Sequence, residues 1–314
     1  MARAYGSRAQ LLAKFETTYG TAPTAVNYEQ LPFVSCDVGS MQGLIESNLI
    51  GEGRDPLVPA RDVVDVEGDI VIPVDVRNIG QWLRALLDAP TTVGAVAPFT
   101  HTYVSGKITL PSLALEVGYA EVPAFNMLTG CRIDAMTLRF ERSGNADATV
   151  TVIGQKETRA GATAGGTPTK RTFTRFNQFQ GSIKKDAVAI ANITEATLEY
   201  RNGSEKVPAI RSDGLIEAVE PTMSRLTGRL VTRFADTTLL AAAEAGTPME
   251  LELAYTIDAN NKLTFTAHEV LLPKPKIAIS GPGGIEVAFD WQGAKDPALA
   301  KMLTVVLIND VSAY

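Results

Sequence analysis

Two histidines and two cysteines are all that the 314 residues contain. That scarcity removes most metal sites and most histidine-based catalysis at the outset. Cys36 and Cys131 lie far apart with no CxxC spacing, so they read as buried free thiols of a reducing compartment. Aromatic residues are also sparse, at 7% with two tryptophans. Long apolar runs are missing: 239–243 and 305–308 reach five and four residues, against the roughly 20 that a membrane-spanning helix needs. The opening residues Met1 to Arg8 lack the apolar stretch of a secretory signal. A soluble protein made in the cytoplasm is therefore expected. Basic charge is in deficit, with 29 Lys and Arg against 35 Asp and Glu for a net charge of −6. A protein that grips nucleic acid through a basic face is disfavoured, because phosphate binding needs clustered Lys and Arg. A protein that lets nucleic acid pass is not excluded.

What is present is enough apolar residue to bury a core, 45% of the chain, arranged mostly with period two. Residues 63–76 read as one long strand with Ile70, Ile72, Val74 and Val76 on one face and Glu67, Asp69 and Asp75 on the other. Residues 132–142 and 146–153 alternate as well, and the Ser143-Gly144-Asn145 turn makes them a hairpin. Further strands are predicted at 100–104, 107–110, 113–119, 193–201, 226–234, 249–257, 262–269, 284–291 and 304–309. Two segments break the pattern. Ile79, Trp82, Leu83 and Leu86 fall at helical spacing, and 237–245 is rich in Leu and Ala with Asp236 as its N-cap. Each helix stops before a proline, Pro90 or Pro248. The predicted fold class is mainly β.

The most informative feature is internal repetition, which is sought before any single motif. Gly68-Asp-Ile-Val-Ile-Pro-Val74 aligns with Gly228-Arg-Leu-Val-Thr-Arg-Phe234 at an offset of 160. In both copies a helix and a proline follow. Upstream, 33–68 and 193–228 have equal length, each with a strand, a long polar loop and a strand. Downstream, Lys107-Ile-Thr-Leu110 matches Lys262-Leu-Thr-Phe265, and each copy closes with strand–turn–strand, at 131–155 and 284–310. The expected organisation is two tandem β domains, 1–155 and 179–314, each with one flanking helix. Between them, 156–178 reads as a flexible linker by its Gly and Thr content. It carries Lys156, Arg159, Lys170, Arg171 and Arg175 against Glu157.

No constellation for chemistry emerges. His101 and His268 fall inside predicted strands and read as structural. Nothing sets a nucleophile beside a base, the HExxH and EF-hand patterns are missing, and the Gly-rich stretches lack the spacing of a phosphate cradle. A β-rich chain of this kind is structural or an adaptor. Glu67 and Asp69, Glu195 and Glu199, and Glu286 and Asp290 lie opposite apolar strand faces. They mark either ordinary solvated faces or the wall of a wet channel that repels a phosphate backbone. Arg139, Arg229 and Arg233 dilute that acidity. Two long polar loops, 48–61 and 202–222, carry Glu52, Arg54, Asp55 and Arg61, and Glu205, Lys206, Arg211 and Asp213. Loops of this length usually bind something.

Several segments together resemble the major tail tube proteins of long non-contractile-tailed bacteriophages. They are Phe33-Val-Ser-Cys-Asp-Val-Gly39, Gly51-Glu-Gly-Arg-Asp-Pro-Leu57, Val66-Glu-Gly-Asp-Ile-Val-Ile-Pro-Val74 with the Trp82 helix, Leu113-Ala-Leu-Glu-Val-Gly-Tyr119 and Thr129-Gly-Cys-Arg-Ile-Asp134. The resemblance implies tandem β-sandwich or barrel domains of the fused, double tube-domain type. It implies homotrimeric, pseudo-sixfold rings that stack, with homohexamers as the alternative. It implies a virion protein with no cofactor, assembled in the bacterial cytoplasm, with the tape measure, tail terminator and distal tail proteins as partners. Double-stranded DNA would pass without sticking, and no membrane is involved. The six carboxylates become lumen candidates, the two loops ring–ring contacts, and the segment before Phe33 an arm to a neighbouring subunit. A carbohydrate-binding or adhesin-like module is the second reading, disfavoured by the lack of tryptophan platforms. An enzyme is the third.

Overall fold

The computed structural model describes residues 3–279 and 281–314. It is mainly β, with two α-helices and open sheets. The chain begins with β1 (Gln10–Phe15), β2 (Glu29–Gln30), β3 (Ser35–Cys36), β4 (Gly39–Ile45) and β5 (Ala60–Pro73), then helix α1 (Ile79–Leu87). It continues through β6 (Thr91–Val93), β7 (Phe99–Val104), β8 (Leu113–Tyr119), β9 (Ala124–Phe140), β10 (Asp147–Gly154) and β11 (Lys156–Ala160). Next come β12 (Gly181–Lys185), β13 (Val188–Ala189), β14 (Ile193–Arg201), β15 (Ser204–Val207), β16 (Ala218–Pro221) and β17 (Arg225–Arg233). Helix α2 (Thr238–Ala245) precedes β18 (Met249–Asp258), β19 (Asn261–Leu271), β20 (Glu286–Ala294) and β21 (Leu303–Asn309).

Alternation produces these strands for a visible reason. In β5, Val66, Ile70 and Ile72 are buried while Glu67 and Asp69 between them stay wet. Asp75 departs from the expected pattern: it is fully buried. Its carboxylate accepts the N–H groups of Arg77, Asn78 and Ile79 at 3.0–3.1 Å, satisfying donors that the first turn of α1 leaves free. Burial pushes its pKa up and those bonds oppose the shift. Trp82, Leu83 and Leu86 then bury the inner face of α1. For α2, Asp236 accepts the Thr238 N–H at 2.9 Å.

The pairing order recurs. β4–β5–β10–β9 in the first half is followed by β14–β17–β20–β19 in the second. Likewise β1–β8–β9–β11 is matched by β12–β18–β19–β21. The register repeats as well. Met41 faces Asp65 and Arg201 faces Arg225; one residue is then skipped, so that Leu44 faces Arg61 and Ser204 faces Pro221. Gly43 and Gly203, again 160 apart, sit at that slip.

Two joints fasten the halves. β9 pairs with β14 from Ala135↔Arg201 to Phe140↔Ala196, and the β6–β7 hairpin extends the second half's sheet through β7 and β21. One apolar cluster runs through both halves, with Trp82, Ile70, Phe176, Tyr255 and Phe289 among its members.

Four expectations need correcting. Residues 107–110 form no strand: Gly106 takes a left-handed φ of 88° and Ile108 is almost fully exposed, so the local alternation has nothing to pack against. The second copy does not close on a hairpin, because β20 and β21 both pair with β19. The segment before Phe33 is no free arm: β1 pairs with β8 of its own chain and buries Leu11 and Leu12. Residues 156–178 are no loose linker either. β11 pairs with β9, Tyr28 and Gly165 share a backbone bond of 3.0 Å, and Phe176 is fully buried. Two of its cations are tied, Arg171 to Glu29 at 3.1 Å and Arg175 to Asp147.

Candidate functional site

Opposite residues of an antiparallel pair project to the same face, so the strand registers define one continuous wet surface. Thr149, Thr137, Glu199, Thr227 and Gln292 form a row across β10, β9, β14, β17 and β20. Arg139, Thr197, Arg229 and Asp290 form the next. Asp69, Thr151, Ala135, Arg201 and Arg225 form a third, in which Ala135 is buried. All six carboxylates singled out in the sequence share this face: Glu67 and Asp69 on β5, Glu195 and Glu199 on β14, and Glu286 and Asp290 on β20.

The surface is not acidic, however. Arg139, Arg201, Arg225, Arg229 and Arg233 share it by the same parity. Arg229 pairs with Asp290 at 3.4 Å and Arg201 with Glu199 at 3.0 Å. Glu286 stands opposite Arg233. A shallow groove of about 750 Å³ runs over Thr137, Arg139, Thr197, Glu199 and Arg229. Its charges nearly cancel and its centre is threonine hydroxyl.

The two long loops have different fates. Residues 202–222 fold onto the first half. β15 and β16 pair, Lys206 reaches Asp65 at 2.6 Å and Glu67 at 2.9 Å, and the Val64 N–H donates to the Gly214 carbonyl at 3.1 Å. The Arg132 guanidinium donates to the Val219 carbonyl, and Gln155 Nε2 donates to the Glu217 carbonyl at 2.9 Å. Arg211 clamps Asp213 at 2.8 Å and Glu217 at 2.7 Å, and holds the Asp213 carboxyl down at about 2. Glu205, on β15, is exposed. By contrast, every residue from 51 to 60 is exposed, Glu52, Arg54 and Asp55 among them. Arg61 belongs to β5, opposite Leu44, and not to the loop. Ile50 and Val58 are 99% and 90% exposed, a degree that singles out an apolar tip without a partner.

The seam between β9 and β14 holds polar residues that strand patterning did not single out. Asp134 and Asn202 are each 4% exposed. Asn202 Nδ2 donates to the carbonyls of Leu86 at 3.0 Å and Ile133 at 2.9 Å. Asp134 takes Arg201 at 2.7 Å and the Ser204 N–H at 2.7 Å.

The histidines are held structurally. His101 is buried with Nε2 2.8 Å from the Val311 carbonyl and Nδ1 2.8 Å from Thr92 Oγ1. His268 bridges Glu250 at 3.1 Å and Thr304 at 2.7 Å. Burial raises the pKa of both free thiols, Cys36 and Cys131. Among the described residues no cluster of His, Cys, Asp and Glu suits a metal ion, and no helix is long and apolar enough to cross a membrane.

A β-rich chain with a broad wet face and an unpartnered hairpin tip belongs to the class of proteins that work by assembling. The family model of phage tail tube proteins matches residues 6–293, and the chain belongs to that family. No curated protein matches it. The family is structural rather than enzymatic, its members assemble into the tail tube, and the protein is a component of the virion tail.

Proposed function

We propose that this chain forms stacked rings whose bore conducts double-stranded DNA into the host. The observation that carries the reading is the recurrence of one strand order and one register at an offset of 160. Two tube domains, 1–155 and 179–314, with 156–178 packed between them, would supply two of six equivalent ring positions. A homotrimer then closes with pseudo-sixfold symmetry. The wet face with Glu67, Asp69, Glu195, Glu199, Glu286 and Asp290 lines the bore, and the loop 48–61 with Glu52, Arg54 and Asp55 meets the adjacent ring. Tape measure, tail terminator and distal tail proteins complete the assembly. A carbohydrate-binding role loses support because Trp82 and Trp291 are both buried, leaving no tryptophan platform.

The test is electron microscopy of the chain co-expressed with its tail initiator proteins. Tubes with threefold-related subunits are expected. Deleting 48–59, which spares the β5 residues Ala60 and Arg61, is expected to leave a folded protein that forms no tubes. Persistent monomers of the intact chain, or tubes built equally well after the deletion, would refute the respective claims.

A further inference from the structure

We propose that the seam inside the chain is repeated between chains, with Glu46 of one copy meeting Arg225 of the next. This rests on the ring reading above and names the joint that closes the ring. The in-chain seam has two parts: the edge of β14 lies against β9, and the loop that follows β14 carries Lys206 onto Asp65 of the first half. β4 is the counterpart of β14, but among the described residues no strand pairs with its second edge, where only the Ser40 N–H is taken, by the Glu157 carboxylate at 2.6 Å. Its following loop is the exposed one.

The matching far edge can be located from registers. Gly68 faces Val152 and Gly228 faces Trp291; one step on, Ile153 faces Arg132 and Gln292 faces Leu271. The residues after Leu271 therefore correspond to the stretch of β9 that holds β14. In this chain that stretch, 273–279, begins Pro273-Lys-Pro-Lys276 and forms no strand. Among the described residues it takes no backbone hydrogen bond. Prolines and lysines are what proteins use to keep a sheet edge from pairing indiscriminately.

The charges supply the second, independent observation. Residues 46 and 206 occupy the same register position beyond the Gly43 and Gly203 slips, as do 65 and 225 on the opposing strands. In the chain the pair is Lys206 with Asp65, at 2.6 Å. At the open ends it is Glu46 with Arg225, the same pair with both signs reversed. Both are exposed, and neither has an ion-pair partner among the described residues. The reversal has a consequence for joining. A first half docked on another first half would set Glu46 against Asp65, and a second half on a second half would set Lys206 against Arg225. Like charges reject both, so halves alternate around the ring.

The experiment uses the full chain with its initiators. Glu46→Arg and Arg225→Glu are each expected to reduce ring and tube yield at least about tenfold, in keeping with close interfacial charge pairs. The double variant is expected to recover it to within about threefold, the residual reflecting imperfect swapping. Circular dichroism checks that the singles stay folded, as exposed positions should. Independently, Met41→Cys with Lys274→Cys is expected to give oxidised dimers and trimers under denaturing electrophoresis. Single variants that assemble like the parent, a double that recovers nothing, or tubes without interchain cross-links would overturn this joint and leave the tube reading intact. A parent chain that never self-associates would overturn both.

Discussion

Asn202→Ala is the substitution that probes the in-chain seam most directly. The side chain is 4% exposed, and Nδ2 donates at 3.0 Å to Leu86 and at 2.9 Å to Ile133. Leu86 lies in the last turn of α1, where carbonyls have no partner inside the helix. Asn202 thus ties the end of a first-half helix to a second-half strand. Each neutral hydrogen bond contributes about 0.5–1.5 kcal/mol net, and a buried acceptor left bare costs about 1–3 kcal/mol. Truncation should therefore lower stability by about 2–3 kcal/mol. Asn202→Asp should do worse near neutral pH, since its carboxylate would face two carbonyl oxygens. Its deficit should narrow as the pH falls toward 4 and the acid gains a proton to donate. Urea titration followed by circular dichroism reads both effects. A loss under about 0.5 kcal/mol for the alanine variant would mean that the two bonds do not hold the seam, because surface substitutions reach that without any buried bond.

Other outcomes follow from the same geometry. A Cβ on Gly228 would lie 2.1 Å from the Thr197 carbonyl oxygen and 2.4 Å from the Trp291 ring, so Gly228→Ala should destabilise by about 1–3 kcal/mol or more. Gly161→Ala, with nothing within 4 Å, should leave the urea midpoint nearly unchanged. Burial lowers the His101 pKa from 6.5, against the opposing bonds to Val311 and Asn309. The unfolded chain then takes up a proton first, so stability present above pH 6.5 should fall as the pH drops below it, and His101→Gln should flatten that part of a Tm-against-pH curve. The intact chain should not bind duplex DNA measurably at 150 mM salt, whereas Thr137→Lys, Thr197→Lys and Thr227→Lys together should confer binding. Fluorescence anisotropy should give a log–log salt slope of up to about 3, at about 0.9 per phosphate neutralised.

Half-buried strands were legible because one face is dry and the other wet, as in β5 and β20. The first part of β9 was not, since Leu128 to Cys131 are all buried and alternation vanishes where both faces are covered. The repeat was legible through Gly68 and Gly228, but its downstream half needed pairing information. Only the sheet reveals that β9–β10–β11 answers to β19–β20–β21. Residues 156–178 look flexible by composition, yet two ion pairs bind them to Glu29 and Asp147 of the first half and the Phe176 ring stacks on Tyr255 of the second. The different fates of 48–61 and 202–222 are invisible to composition, because they depend on which edge each loop finds beside it.

The wet face also explains why a net charge alone says little about passage of a polyanion. An evenly negative wall would raise the energy of DNA throughout a bore and would bind cations along its length. Here Arg229 sits on Asp290, Arg201 on Glu199 and Arg233 opposite Glu286, so three of the arginines have an opposite charge within about one strand spacing, while Arg201 also faces Arg225. Such a field falls off over about that spacing, roughly 5 Å, and salt screens what remains within about 8 Å. On the proposed reading, a duplex at the axis of the bore would meet a wall that neither holds nor repels it, with threonine hydroxyls able to bond to water between the charges. Sliding without adhesion, as the proposed function requires, would then need no specific site.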